Sequence, residues 1–168
     1  MGVFTRLSGY DGKGVSSLKA IMRSTDPTSE LLGELVEISG GEDANMQIGA
    51  TWLLRAYLED GARLGPTQVG RLAEFLGPMR DGFARLHVCQ AMHHVQVPEP
   101  LAEAFAEFFR QCLGSKNTFL RAWAPSGFWQ LAAQHARYEA EARTLIEKAL
   151  TDPAASVRAR ARRTLAGA

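Results

Sequence analysis

The stretch Asp152-Pro153-Ala154-Ala155-Ser156-Val157-Arg158-Ala159-Arg160-Ala161-Arg162-Arg163-Thr164-Leu165 opens with an Asp-Pro turn and continues as a helix with Val157, Ala161 and Leu165 on one side. Asp and Pro at that place suit a helix start, where free N–H groups need an acceptor and a missing one costs nothing. Reading outward, the same register recurs three times. The copies are Met46-Gln47-x-x-Ala50-x-x-x-Leu54, Ala84-Arg85-x-x-Val88-x-x-x-Met92 and Leu120-Arg121-x-x-Ala124-x-x-x-Phe128. Their second positions, residues 47, 85, 121 and 158, are spaced by 38, 36 and 37 residues. A period of roughly 20–50 residues marks an array of stacked structural units.

Each copy is preceded by a second amphipathic segment with apolar residues at i, i+3/i+4 and i+7. These are Leu31, Leu32, Leu35 and Val36; Val69, Leu72, Ala73 and Leu76; Leu101, Phe105, Phe108, Cys112 and Leu113; and Ala142, Leu145, Ile146, Ala149 and Leu150. Gly40-Gly41, Gly77-Pro78, Gly114-Ser115 and Asp152-Pro153 separate the two helices of each unit. No window alternates with period 2, so the spacing predicts an all-α chain. It predicts four antiparallel helix pairs over residues 28–61, 65–96, 99–135 and 138–166, stacked as an α-solenoid because one pair cannot bury its apolar face alone. Residues 1–25 form a Gly-rich lead with a short helix over 16–23, and residues 26–168 form the repeat domain.

The Asp152–Leu165 stretch resembles the second half of a HEAT repeat, with its Asp-Pro turn and a Val-Arg helix opening. The looser copies place Asp43 before Gln47, Asp81 before Arg85 and Asn117 before Arg121. The resemblance, an armadillo-like α-α superhelix, covers about 140 residues. It implies a ladder of hydrogen bonds between repeats carried by Asp81, Arg85, Arg121, Asp152 and Arg158, weakened at the N-terminal end by Gln47.

Apolar residues make up 46% and charged residues 22% of the chain, which excludes wholesale disorder. A net charge of +1 argues against a dedicated nucleic-acid binder. Cys89 and Cys112 both fall inside apolar helical patterns and read as buried thiols of a reducing compartment. With no run of roughly 18 apolar residues, the expected location is cytoplasmic. The charge is uneven: residues 24–54 hold six acids and no Lys or Arg, whereas residues 154–168 hold four arginines and no acid. Opposite charge at the two ends favours salt-sensitive head-to-tail self-association.

Counting position 1 at Met46, Ala84, Leu120 and Val157, the core falls on positions 1, 5, 8, 9 and 12 at 100° per residue. Positions 3, 7, 10 and 14 fall opposite. Position 3 is Ile48, Leu86, Ala122 and Ala159; position 7 is Trp52, Gln90, Ser126 and Arg163; position 10 is Arg55, His93, Trp129 and Ala166; Glu59 takes position 14 in the first copy. In HEAT-like stacks this is the concave surface. Trp52, Arg55, Leu86, Gln90, His93, Trp129 and Arg163 are the expected partner-binding residues, since Trp and Arg are enriched at interfaces. Trp129→Ala would then cost little stability. Pro125 predicts a kink in the third of these helices.

Catalytic patterns are weak. Cys89 and His93 have i, i+4 spacing, but no further metal ligand stands at helical spacing nearby. The architecture resembles deoxyhypusine hydroxylase, whose iron ligands are His-Glu dipeptides; none of the four histidines here precedes Glu. Gly9-Tyr10-Asp11-Gly12-Lys13-Gly14 lacks the spacing of a phosphate-binding loop. The tryptophans and arginines are similar in kind to those of HEAT-like alkylpurine DNA glycosylases, but Ala56 stands where a carboxylate is needed. The expectation is a non-catalytic scaffold that binds a protein or peptide, without metal or cofactor, with DNA binding as the alternative.

Overall fold

The computed structural model describes residues 2–167; Met1 and Ala168, the outermost residues of the lead and of the repeat domain, lie outside the described residues. The described chain is all-α. Ten helices follow in order: α1 (Val3–Leu7), α2 (Val15–Arg23), α3 (Ser29–Ser39), α4 (Ala44–Glu59), α5 (Pro66–Leu76), α6 (Gly82–Ala91), α7 (Ala102–Leu113), α8 (Thr118–Gln134), α9 (Glu139–Leu150) and α10 (Ala155–Leu165). None is long and apolar enough to cross a membrane.

The helices that carry the repeated pattern start alike. Asp43, Asp81 and Asn117 accept hydrogen bonds from backbone N–H groups of the first turns of α4, α6 and α8. In the fourth copy Ala154 takes that place, and Asp152 accepts from the Ala154 N–H instead. The second residue of each copy reaches back to carbonyls of the turn before its own helix. Gln47 donates to Ser39 and Gly41, Arg85 to Met79, Arg121 to Lys116, and Arg158 to Asp152 and Pro153. Gln47 therefore makes the same backward reach as the three arginines. Of the expected ladder between copies, one acid–arginine rung forms: Arg121 Nε lies 3.3 Å from Asp152 Oδ2. Arg85 instead meets Gln111, and Asp81 is spent on its own helix.

α4, α6, α8 and α10 pack each on the next, and α3, α5 and α7 form a second row. α3 lies on α4, α7 on α8, and α9 on both α8 and α10. Two-pronged pairs at 2.8 Å stitch α5 to α3 (Arg71 with Glu37) and tie the end of this row to α9 (Arg110 with Glu141). Such half-exposed pairs contribute little net energy but fix the lateral register of neighbouring helices. α5 packs more closely on α3 and α7 than on α6, its expected partner. Long side chains including Leu54, Leu72, Met92 and Phe105 converge between them.

One continuous core runs from Val3 to Ala142, and a smaller cluster of Ala122, Ile146, Ala149, Val157 and Ala161 joins α8 to the last pair. Within the large core the rings of Phe108, Phe109, Phe128 and Tyr138 meet edge to face. Burying each of these rings contributes about 1.5–3 kcal/mol. α8 runs unbroken through the buried Pro125.

The lead is more ordered than its composition predicts. It forms α1 as well as the expected α2, and both pack on the first unit. Leu7, Tyr10 and Leu18 close on Gly49 of α4, where an added Cβ would come within 2.7 Å of a Leu7 methyl. A side chain at 49 would lift the lead off the stack.

Candidate functional site

The row of α4, α6, α8 and α10 leaves one stripe of each helix uncovered. On α4 the stripe is Asn45, Trp52, Arg55 and Glu59; on α6 and the turn after it, Phe83, Gln90 and His93; on α8, Phe119 and Trp129; on α10 and its C-cap, Ala159, Arg163 and Ala166. Most of these positions come from the 3, 7, 10, 14 register. Ile48, Leu86 and Ala122, at position 3, are buried at the seams between neighbouring helices. Ser126, at position 7 of the third copy, is also buried. Its Oγ accepts a 2.9 Å hydrogen bond from Thr164 Oγ1 and ties α8 to α10.

Two residues escape the sequence reading. Phe83 is 57% exposed and Phe119 62% exposed, which is unusual for rings on well-packed helices. Each stands two residues past its helix cap. An added Cβ on Gly82 would sit 3.6 Å from the Asn117 amide nitrogen, so the starts of α6 and α8 are side by side. The signal was present in the chain. Extending the repeat count back by one puts Asn45, Phe83, Phe119 and Ser156 at position 0, on the same face as positions 3, 7 and 10.

Arg55 does not stand free. Its Nη1 donates to Gln90 Oε1 at 2.6 Å, its Nε lies 3.5 Å from Glu59, and its guanidinium lies 5.7 Å from the Trp52 ring centroid. Trp52, Arg55, Gln90 and Glu59 thus form one linked group across α4 and α6. Beneath it, His87 Nδ1 lies 3.1 Å from Thr51 Oγ1. Burial, then the Arg55 charge, pushes the His87 pKa down to about 3, so the ring is neutral. His93 is also held below its ordinary value, by partial burial first and then by Arg160 and His94. It brings no cation to the face at neutral pH.

No family model, curated protein or solved structure matches this chain.

The charges divide by row. α6, α8 and α10 contain no Asp or Glu, and α4 contains Glu59 alone, whereas α3, α5, α7 and α9 carry Glu30, Glu34, Glu37, Glu74, Glu103, Glu107, Glu139, Glu141 and Glu147. The acid-free helices are rich in arginine, yet most of it is engaged in packing. Arg85, Arg121 and Arg158 hold the turns before their helices, and Arg160 lies 4.2 Å from the Trp123 ring centroid. Arg162 and Arg163 are the exposed pair.

Trp129 is half-buried and packs against both the main core and the α8–α10 cluster. Its outer edge borders a cleft of about 190 Å³ with Ala133, Glu139 and Arg143, at the seam of α8 and α9. The expectation of a ring outside the core gives way to a wedge between two clusters. Trp129→Ala should therefore cost about 1–3 kcal/mol in urea unfolding, below the 3–5 of a fully buried Trp. An unchanged midpoint would return Trp129 to the open face.

Cys89 and Cys112 are both buried and unbridged, the Cys89 thiol pushed up by burial and by its Cys112 neighbour. Among the described residues, no group of three or more His, Cys, Asp and Glu is placed to hold a metal ion.

Proposed function

We propose that α3 to α10 are four HEAT-like pairs of a short α-solenoid, and that the α4/α6/α8/α10 row is its concave binding surface. The equivalent reach of Gln47, Arg85, Arg121 and Arg158 to the preceding turns supports the repeat reading. The surface takes a protein or peptide segment, without catalysis, in the cytoplasm. The observation that carries this is the pair of exposed phenylalanines, Phe83 and Phe119, on adjacent helices. Exposed rings grouped on one face cost solubility and mark interaction sites. The stripe around them is mixed, with Trp52, Gln90 and Ala159 beside Arg55, Glu59 and Arg163, suited to an apolar anchor with a few polar contacts. DNA has less behind it: with Arg162 and Arg163 as the exposed arginines of the row, the phosphate contacts that drive such binding are few.

A random peptide library displayed on phage and selected against the full chain supplies the probe. The affinity of the selected peptides is then measured for Phe83→Ala, Phe119→Ala and the double variant. Each single change should weaken binding by roughly 2 kcal/mol, about thirtyfold, while stability moves by no more than about 0.5 kcal/mol. Failure to select a peptide, or peptides indifferent to both rings, would remove this reading. A labelled DNA duplex bound more tightly than any peptide would replace it with the DNA alternative.

A further inference from the structure

Two further exposed apolar residues, Phe4 and Leu165, lie at opposite ends of the α4/α6/α8/α10 row. At the first end, Phe4 of α1 is 56% exposed and borders a groove of about 390 Å³ whose apolar lining is Phe4, Ile38 and Met46. The groove is rimmed by carboxylates. Glu34 accepts the Phe4 N–H, Glu37 is clasped by Arg71, and Asp43 caps α4. Glu42 makes no hydrogen bond or ion pair among the described residues. The lead adds exposed Lys13, Lys19 and Arg23 to the same end of the molecule, so the acidic end expected from sequence narrows to this seam of α1, α3 and α4.

At the other end, α10 buries Val157, Arg160, Ala161 and Thr164 against α8 and α9. Arg158, Arg162 and Leu165 follow at i, i+4 and i+7, a single stripe turned roughly 100° away from the buried one. Leu165 is 50% exposed, and no acid occurs in α10. Arg158 holds the turn before α10, so the stripe presents an apolar knob with one exposed arginine, Arg162, beside it. The groove is an apolar hollow inside an acid rim. The two are complementary in both polarity and charge, and they belong to the same chain.

We propose that copies of this chain associate head to tail, Leu165 of one molecule seating in the Phe4/Ile38/Met46 groove of the next with Arg162 on the Glu42 side of its rim. The contact is heterologous: each molecule offers one groove and one knob, so assembly grows as an open series rather than stopping at a symmetric pair. It uses neither Phe83 nor Phe119 and is independent of the reading of that face.

Sedimentation velocity on the full chain tests it. At about 0.01 M salt the average mass should rise with concentration. At about 1 M salt, where the screening length falls from about 30 Å to about 3 Å, association should weaken. Phe4→Asp spoils the groove and Leu165→Asp spoils the knob, both at exposed sites whose thermal melts should match the parent. Each variant alone should be monomeric, with association weakened at least about tenfold. Mixed together they should form a one-to-one dimer and nothing larger, because one groove and one knob survive. The Phe83→Ala/Phe119→Ala variant should assemble like the parent. A parent that stays monomeric at low salt, single variants that still associate, or a mixture that forms no dimer would each overturn the proposal. So would loss of assembly in the Phe83/Phe119 variant.

Discussion

Phe109→Ala should lower the free energy of unfolding by about 3–5 kcal/mol. The ring is fully buried between α7 and α8, edge to face with Phe108 at 5.4 Å and with Phe128 at 6.2 Å between centroids. It presses on the backbone of α8 at Gly127, where an added Cβ would come within 2.6 Å of the ring. Its neighbours are themselves rings held by other partners, Phe128 by Tyr138 at 5.8 Å, so they cannot slide in to fill the hole. The vacated volume should remain largely as a cavity. Urea unfolding at fixed pH would show the midpoint fall with the slope unchanged. A loss under about 1 kcal/mol would mean that the α7–α8 contact collapses freely and is not the keystone of the stack. Phe119→Ala, at the exposed start of the same helix α8, supplies the contrast: its cost should lie within about 0.5 kcal/mol of zero.

Acid should weaken the fold through His87. Its folded pKa of about 3 lies well below the ordinary histidine value of 6.5. Between those two values the unfolded chain binds a proton that the folded chain refuses, so stability falls as pH drops through that window. Above about pH 6.5 the ring is neutral in both states and the contribution is flat. From pH 7 to pH 4.5 the loss from this one group should be about 2–3 kcal/mol. The cause is burial beneath Arg55, where an imidazolium would sit unsolvated beside a like charge. His87→Gln keeps a hydrogen-bonding group beside Thr51 without a titrating ring. Its stability should fall correspondingly less between the two pH values, and carboxylate titrations common to both proteins cancel in the comparison. Equal pH profiles for parent and variant would show that His87 is solvated enough to titrate normally.

Much of this architecture was legible in the chain. The recurring Gln47, Arg85, Arg121 and Arg158 register placed α4, α6, α8 and α10, and the apolar stripes placed their partners, because helix periodicity is a local property of the sequence. α1 was not legible: five residues carry too little pattern, and they are helical because Val3 and Leu7 find a surface on α3 and α4. The face opposite the core was read from angle alone, which explains both its hits and its misses. Angle placed Trp52, Arg55, Gln90, His93 and Arg163 along the uncovered stripes. It could not say that Leu86 and Ser126 would be closed over by the next helix, or that Trp129 would meet α9, because those contacts come from chain more than 10 residues away. Phe83 and Phe119 stand one count outside that register, two residues past the caps Asp81 and Asn117.

The sequence by itself determined the helical class and the starts of α4, α6 and α8, whose Asp43, Asp81 and Asn117 caps act within a turn of the chain. Tertiary structure decided which charges are available. Seven arginines on α4, α6, α8 and α10 are indistinguishable as letters, yet packing commits five of them to turns, to a ring or to a neighbouring side chain and leaves Arg162 and Arg163 in solvent. A long side chain's charge goes where its stem can reach a partner, and that partner is fixed only once neighbouring helices are in place.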